Sequence, residues 1–90
     1  MFVLVCYDTP DDRRRGKMHS ILKGFGTRVQ RSVFECDVTP KQFQRLRQRL
    51  GKVVEEDDGL RYYVLCAGCI SRIEVVSGPP VTRTQLYFAV

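Results

Sequence analysis

The amino-acid sequence predicts a single α+β domain with a ferredoxin-like fold, in which two helices pack on one face of a mostly antiparallel sheet. Three observations predict it. The chain has 90 residues, which is enough for one domain. Two segments combine helical apolar spacing with capping residues, and strand-like segments precede, separate and follow them. The elements follow the order β-α-β-β-α-β, with an additional strand towards the C-terminus.

The first predicted strand ends at an acidic residue. Residues 2–7 are apolar on both alternating faces, which is typical of a strand covered on both sides, and Asp8 follows directly. Two helices on one side cover only one face of a sheet, and so short a chain has a thin core. We therefore expect a homodimer in which the uncovered sheet faces of two copies pack together.

Residues 9–26 carry the pattern of a first helix. Thr9 as the cap, Pro10 at the first helical position and Asp12 three residues after the cap indicate its start. The helix is expected to continue to about residue 25, and Gly26 closes it. The apolar side chains at helical spacing are Met18, Ile21, Leu22 and Phe25.

The middle of the chain predicts further strands and a second helix. Residues 28–38 are extended in pattern, and the polar residues 30–32 interrupt them. This interruption is either a tight turn between two short strands or a bend in one long strand. Residues 39–42, Thr-Pro-Lys-Gln, repeat the capping pattern and predict an amphipathic helix that ends at Gly51.

The C-terminal third predicts a strand pair. The acidic residues 55–59 form a turn, and a strand follows over 60–66. A turn near Ala67 and Gly68 then leads into a strand over 70–76.

The last residues predict a separate tail. Residues 78–80, Gly-Pro-Pro, form a stiff spacer, and 85–90 are again strand-like. An isolated strand at the end of a chain needs a sheet edge to pair with, either in its own subunit or in a partner. We therefore divide the chain into a ferredoxin-like domain, 1–78, and a tail strand, 79–90.

The charge of the chain is unevenly distributed. Residues 1–52 contain twelve Lys and Arg against five Asp and Glu, whereas residues 53–90 contain three against five. A surplus made mostly of arginine suits a phosphate-bearing partner, although a solvated basic face is the alternative. No segment resembles a signal peptide or a membrane span, so we expect a soluble cytoplasmic protein without membrane contact.

The spacing of the four cysteines does not indicate a zinc site. Cys6 and Cys36 fall within apolar strand patterns. Cys66 and Cys69 form a C-x-x-C motif, but a structural zinc site needs a second pair or nearby histidines. A hairpin that carries two thiols is the simpler interpretation of this motif, with metal or redox work as the alternative.

Two stretches resemble a known family. The run Y-D-T-P-D-D-R-R-R at 7–15, the block G-F-G-x-R-V-Q-x-S-V-F-E-C at 24–36 and the strand-rich last third are similar to CRISPR-associated protein two, the small subunit of the spacer-acquisition machinery. The resemblance covers essentially the whole chain. It implies a ferredoxin-like homodimer that binds nucleic acid and bridges dimers of the integrase subunit, CRISPR-associated protein one. Some members are metal-dependent endonucleases for single-stranded RNA or duplex DNA.

The resemblance also implies a set of site residues. Asp8 matches the family's metal-binding aspartate, which together with its symmetry mate would bind one divalent ion, usually Mg²⁺, and act in catalysis. The residues expected to bind nucleic acid are Arg14, Arg15, Lys17 and Arg28, which match family positions, together with Arg31, which the family block leaves unspecified. The residues expected to support the cleft are Tyr7, Ser32 and Phe34.

The chemistry of Asp8 leaves alternatives open. Mg²⁺ takes oxygen ligands and commonly uses one or two carboxylates plus substrate phosphate, so one aspartate per subunit meets its needs. Equally, a carboxylate after a strand can simply accept backbone N–H groups at the start of the next helix. Likewise, Asp11 and Asp12 can pair locally with the arginines at 13–15. The function hypotheses are therefore a magnesium-dependent endonuclease, a non-catalytic DNA-binding hub for an integrase and, more weakly, a free-standing RNA-cleaving toxin of related fold.

Overall fold

A computed structural model describes residues 1–82 and contains a four-stranded antiparallel sheet with two long helices on one face. The predicted α+β class and the β-α-β-β-α-β order are confirmed. The strands lie in the order β2-β3-β1-β4, which places the first strand in the middle of the sheet. The elements are β1 Phe2–Asp8, α1 Asp12–Lys23, β2 Thr27–Gln30, β3 Val33–Asp37, α2 Pro40–Gly51, β4 Gly59–Leu65 and the short α3 Ala67–Ile70.

The core lies between the sheet and the helices α1 and α2. Alternate residues of β1 point into it, because successive side chains of a strand face opposite sides. Burial of each large apolar side chain of this core stabilises the fold by about 1.5–3 kcal/mol. The buried residues that form the cluster include Val3, Val5 and Tyr7 of β1, Met18 and Leu22 of α1, Phe34 and Cys36 of β3, and Phe43, Leu46 and Leu50 of α2.

The register of β1 determines what surrounds its last residue. In the antiparallel pairing with β4, Asp8 lies opposite Gly59 and Tyr7 lies opposite Leu60. In the pairing with β3, Cys6 lies opposite Val33, the first residue of that strand. The end of β1 therefore meets the beginnings of both neighbouring strands.

The helix α1 begins later than the sequence predicts. Its cap is Asp11, whose carboxylate accepts the backbone N–H of Arg14 at 2.9 Å, so the assignment of Thr9 as the cap is wrong. The hydroxyl of Thr9 instead accepts the backbone N–H of Asp11 at 3.2 Å. The helix ends at Lys23 rather than near residue 25. Both boundaries differ by only a few residues, and the buried face of the helix is the predicted one.

The other local predictions in the middle of the chain hold. The polar interruption is a turn, because β2 ends at Gln30 and β3 begins at Val33. The start of α2 is a reciprocal capping box, in which Thr39 Oγ1 accepts the backbone N–H of Gln42 at 3.1 Å and the Gln42 side chain accepts that of Thr39 at 2.8 Å. This helix ends at Gly51, as predicted.

The predicted strand over residues 70–76 is wrong, and so is the hairpin that included it. After β4 the chain turns into α3, where the backbone N–H of Ile70 bonds to the carbonyl of Cys66 at 3.0 Å. A further turn follows α3, in which the backbone N–H of Ile73 donates to the carbonyl of Ile70 at 3.1 Å. The side chain of Ile70 is buried and anchors this turn. Although Ile is β-branched and favours strands, it lies here in a helical turn and not in a β-strand.

The C-terminal tail is described only in part. The predicted strand over 85–90 lies outside the described residues, and the boundary at 78 stays a prediction. The backbone N–H of Thr82 donates to Oε1 of Glu35 at 2.9 Å, and this glutamate in β3 is only 6% exposed. The segment after α3 therefore returns to β3.

No helix within residues 1–82 combines the length and apolar character needed to cross a bilayer.

Candidate metal and nucleic-acid site

Asp8 presents a free carboxylate at the end of the central strand. Tyr7 before it points into the core, so Asp8 lies on the opposite sheet face, away from the helices, and it is exposed. Its carboxylate forms no hydrogen bond or ion pair with any of residues 1–82. The structural alternative, a cap for the following helix, is the role of Asp11 instead. Asp8 is thus available to a ligand from outside the chain.

A shallow cavity of about 200 Å³ lies next to the carboxylate of Asp8. Gly59 lies across the strand pair, where an added Cβ would be 3.8 Å from the Cβ of Asp8, an ordinary contact distance. Its lining residues are Cys6, Tyr7, Asp8, Gly59, Leu60 and Arg61.

Tyr7, Ser32 and Phe34 hold the strand end in place. The backbone N–H of Tyr7 donates to the carbonyl of Ser32 at 3.1 Å, which ties β1 to the turn between β2 and β3. The rings of Tyr7 and Phe34 are both buried, with centroids 6.3 Å apart. Burial raises the pKa of the Tyr7 phenol, an effect that nearby Arg28 and Arg15 oppose. Tyr7 therefore stays protonated and packs against the core.

Arg14 is engaged by carboxylates of its own chain. Its guanidinium donates from Nε to Asp58 Oδ2 at 2.9 Å and from Nη2 to Asp58 Oδ1 at 3.1 Å, a two-pronged contact. It also contacts Asp57 at 3.1 Å and Asp11 at 3.4 Å. A phosphate would have to displace three carboxylates from this side chain. In this structure Arg14 is held by acids of its own chain, and the phosphate contact expected from the sequence stays a prediction.

Asp58 is the centre of this network. Its side chain has no exposed surface and accepts hydrogen bonds from Arg14, from the Thr9 side chain and from the backbone N–H of Glu55 at 2.9 Å. Hydrogen bonds from Arg14 above all, then from Thr9, lower the pKa of Asp58 to about 2. Because Asp58 directly precedes Gly59, the network fixes the start of β4 against Asp8.

The Arg14–Asp58 network predicts a loss of stability in acid. A carboxyl with a lowered pKa stabilises the fold above its unfolded pKa of 3.8, and this contribution is lost as the pH falls towards about 2. We expect Arg14→Gln to lower the thermal midpoint at pH 7 by about 5 °C or more, and to flatten the decline between pH 4 and pH 2. Circular dichroism melts across this pH range measure both effects. The control is Arg13→Gln, which changes a neighbouring arginine whose side chain forms no ion pair within residues 1–82. Equal midpoints for the two variants would contradict the assignment.

Three of the remaining predicted cations lie near the end of β1. Arg15 bonds through Nη2 to the carbonyl of Thr9 at 2.6 Å and through Nη1 to Asp12, so it lies against the loop that follows Asp8. The local pairing of Asp11 with Arg14 and of Asp12 with Arg15 is thus confirmed. Arg28 and Arg31 are exposed, and neither forms an ion pair within the described part of the chain.

Arg28 and Arg31 reach this end of the sheet through β2 and its turn. Arg28 is close enough to Tyr7 to act on the pKa of its phenol. Arg31 precedes Ser32, whose carbonyl binds the Tyr7 N–H. Lys17 is different, because it lies on the exposed side of α1 in a groove shared with Val53. Arg15 and Arg28 therefore both lie near the Tyr7 phenol, whereas Lys17 lies on another surface. Arg28 pairs with the core residue Phe34, so its side chain starts from the helix side of the sheet and not from the face of Asp8.

Arg61 is a candidate site residue that the sequence reasoning missed. It lies opposite Cys6 in the pairing of β1 with β4, on the same sheet face as Asp8, and it lines the cavity. Its Nη1 donates to the hydroxyl of Tyr63 at 3.1 Å, which directs the guanidinium along that face. The sequence does show that Gly59, Arg61 and Tyr63 alternate along one strand and so lie on the same face of it. Only the register with β1 shows that this face is the one that carries Asp8.

The residues around Asp8 fit a magnesium ion shared with other ligands. A hard cation needs oxygen donors, and a carboxylate without a partner in the described part of its own chain supplies one. No group of three or more His, Cys, Asp and Glu side chains that could hold a metal occurs within residues 1–82. The described part of one chain therefore offers Asp8 as an anchoring carboxylate at this place, which matches the way Mg²⁺ keeps waters and uses substrate phosphate for its remaining positions.

Comparison with known proteins places these features in a family. The family model described as CRISPR associated protein Cas2 matches residues 1–73. The chain is 43% identical over 81 residues to a CRISPR-associated endoribonuclease Cas2 of Synechocystis sp., covering 89% of this chain and 88% of the relative.

Two solved structures are similar to the fold described above. The crystal structure of Streptococcus pyogenes Cas2 superposes with a TM-score of 0.76 at 37% identity, covering 86% of this chain and 100% of that one. A chain of a partial Cas6-RT-Cas1–Cas2 complex superposes with a TM-score of 0.73 at 28% identity, covering 92% and 98%.

Proposed function

Because the chain belongs to the CRISPR-associated protein Cas2 family, we propose that it is a CRISPR adaptation protein with magnesium-dependent endonuclease activity on single-stranded RNA or duplex DNA. The observation that carries the proposal is the carboxylate of Asp8 at the end of β1, which has no partner within residues 1–82. The name endoribonuclease, which the Synechocystis relative carries, supports cleavage of a phosphodiester bond.

Each residue of the proposed site has a role that follows from the chemistry of its side chain. Asp8 is the side chain that would hold the metal, and a cavity lies next to its carboxylate. A bound Mg²⁺ supplies charge neutralisation at a phosphate. Arg28 and Arg31, which have no ion pair within residues 1–82, would bind flanking phosphates. Arg61, on the face of Asp8, would contact the same strand of nucleic acid from the side of β4.

A second copy of the chain would complete the site. Asp8 shares its sheet face with Leu4 and Cys6, which are only half-buried, and with Tyr63, which is 43% exposed. Packing this face against the same face of another copy would cover these side chains and bring a second Asp8 towards the first. A homodimer would thus bring a second carboxylate to the one that Asp8 provides within residues 1–82.

The alternative function is a non-catalytic hub. One of the similar solved structures is a complex that contains Cas1 together with Cas2, so we propose that this chain also docks to the integrase Cas1. Exposed cations beside a free carboxylate would then hold duplex DNA during spacer acquisition without cutting it. Both functions place the protein in the cytoplasm with nucleic acid as its partner.

Cleavage assays on labelled single-stranded RNA and duplex DNA test the proposal. We expect the purified chain to cut at least one substrate with Mg²⁺ and to stop when a chelator is added. Cleavage that persists in chelator would contradict the role of the metal. Salt-dependent binding of duplex DNA without cleavage of either substrate would overturn the nuclease and favour the hub. Size-exclusion chromatography with light scattering measures the dimer in the same preparations.

A further inference from the structure

Cys66 and Cys69 form a close pair of exposed thiols. Their Sγ atoms are 3.5 Å apart, and both residues are exposed. The other two cysteines are shielded, because Cys36 is buried in the core and Cys6 is half-buried in β1. The endonuclease proposed above uses neither thiol of the close pair.

The turn of α3 creates this proximity. Cys66 is the residue before the helix, and its carbonyl accepts the N–H of Ile70 at 3.0 Å, so the chain between the two cysteines is a single helical turn. A disulfide requires its sulfur atoms about 2.05 Å apart. Small side-chain rotations would close the remaining gap without unfolding the turn.

The two thiols differ in reactivity. The backbone N–H groups of Cys69 and Gly68 and the side-chain contact with the Cys69 sulfur lower the pKa of Cys66. The same contact raises the pKa of Cys69. By contrast, burial raises the pKa of Cys36 to about 12. Since the thiolate is the attacking species, Cys66 is the reactive member of the pair and Cys69 is placed to follow it.

We propose that Cys66 and Cys69 form a redox-active dithiol, a site of reversible modification by small disulfides. The Cys66 thiolate attacks a disulfide RSSR, forms a mixed disulfide and releases one RS⁻. The Cys69 sulfur, deprotonated as it reacts, then attacks Sγ of Cys66, forms the 66–69 disulfide and releases the second RS⁻. The released thiolates take up the two thiol protons, so the protein loses two hydrogens and RSSR is reduced to two RSH.

The dithiol is separate from the proposed nuclease site. β4 begins at Gly59 beside Asp8 and ends at Leu65 beside Phe2, so the motif lies at the other end of the sheet. Seven residues of strand span about 20 Å. A disulfide there closes the turn at which the chain leaves the sheet and leads into residues 71–82. Its formation should therefore leave Asp8 unaffected.

Oxidised glutathione tests this proposal on the full chain under anaerobic conditions. We expect the intact mass to fall by two hydrogens, peptide mapping to place the link between Cys66 and Cys69, and dithiothreitol to reverse it. Stable glutathione adducts on both thiols, a disulfide between two chains or no reaction would overturn the proposal.

Single substitutions assign the two roles. Cys69→Ser should accumulate a mixed disulfide of Cys66 with glutathione, because the second attack is removed. Cys66→Ser should react about 10-fold more slowly, since the thiol with the lowered pKa is removed. Equal rates for the two variants would overturn the assignment of Cys66 as the attacking thiol. Cys36→Ser is the matched control and should retain the 66–69 link.

Discussion

Asp8→Asn is expected to reduce phosphodiester cleavage by at least about 100-fold, because it removes the carboxylate that anchors the metal. The substitution keeps the shape of the side chain. It also removes no hydrogen bond or ion pair within residues 1–82, so the fold should be unchanged. Nucleic-acid binding should be equal or slightly tighter, since one negative charge is removed beside the phosphates. Initial cleavage rates at saturating Mg²⁺, with binding measured in parallel, separate these effects.

Two further variants give this experiment its contrast. Glu74→Gln removes an acid that, like Asp8, is exposed and forms no ion pair in the described part of the chain. The cleavage rate of this variant should be within about twofold of that of the original protein. Arg28→Gln combined with Arg31→Gln should weaken binding and reduce the slope of log affinity against log salt by about 0.9 for each phosphate that is no longer neutralised. Undiminished cleavage by Asp8→Asn would exclude Asp8 as the metal ligand, and an unfolded variant would make Asp8 structural.

Gly26→Ala is expected to destabilise the fold by about 3 kcal/mol, because no space exists for a side chain at that position. An added Cβ would lie 2.3 Å from the carbonyl oxygen of Glu35, 2.6 Å from Sγ of Cys36 and 2.9 Å from Cα of Cys36. Two of these atoms belong to the backbone of β3, which is paired on both sides. The sheet would have to shift to relieve the clash.

Chemical denaturation of both alanine variants measures this difference. The matched control is Gly16→Ala, also a glycine-to-alanine change, at a position in α1 where no atom lies within 4 Å of the added Cβ. Alanine favours a helix interior, so this control should gain about 0.5–1 kcal/mol. An unfolding free energy for Gly26→Ala that matches the original protein would show that β3 accommodates the methyl group.

The sequence predicted the elements whose signals are local. The capping box of α2 needs only residues 39–42, and the apolar run of β1 identifies a central strand without knowledge of its partners. The β-branched residues within 70–76 favour a strand, but burial of Ile70 and the hydrogen bonds of α3 stabilise a helical turn at the start of this segment instead. Local propensity is overridden there by tertiary packing.

The candidate site was predictable in part for the same reason. Asp8 follows a strand, and its exposure could be expected from that position. The role of Arg14 could not be, because its main partner Asp58 is 44 residues away in the sequence. Arg61 needed the register between β1 and β4, which no pattern within one strand specifies. Asp8 was named as a metal ligand from its match to the family's aspartate, and this role stays a prediction. The long-range contacts that arrange its surroundings could not be predicted from the sequence.

The separation of Arg14 from Asp58 also affects the order of folding. A contact across 44 residues has a high cost in loop entropy until other contacts have closed the loop. Pairing of β1 with β4 closes it, since that pairing brings Gly59 to Asp8. We therefore expect the Arg14 contact to form only after β1 has paired with β4. Until that step the chain can have its helices and strands, but the start of β4 is not yet held against Asp8 by the Arg14–Asp58 contact.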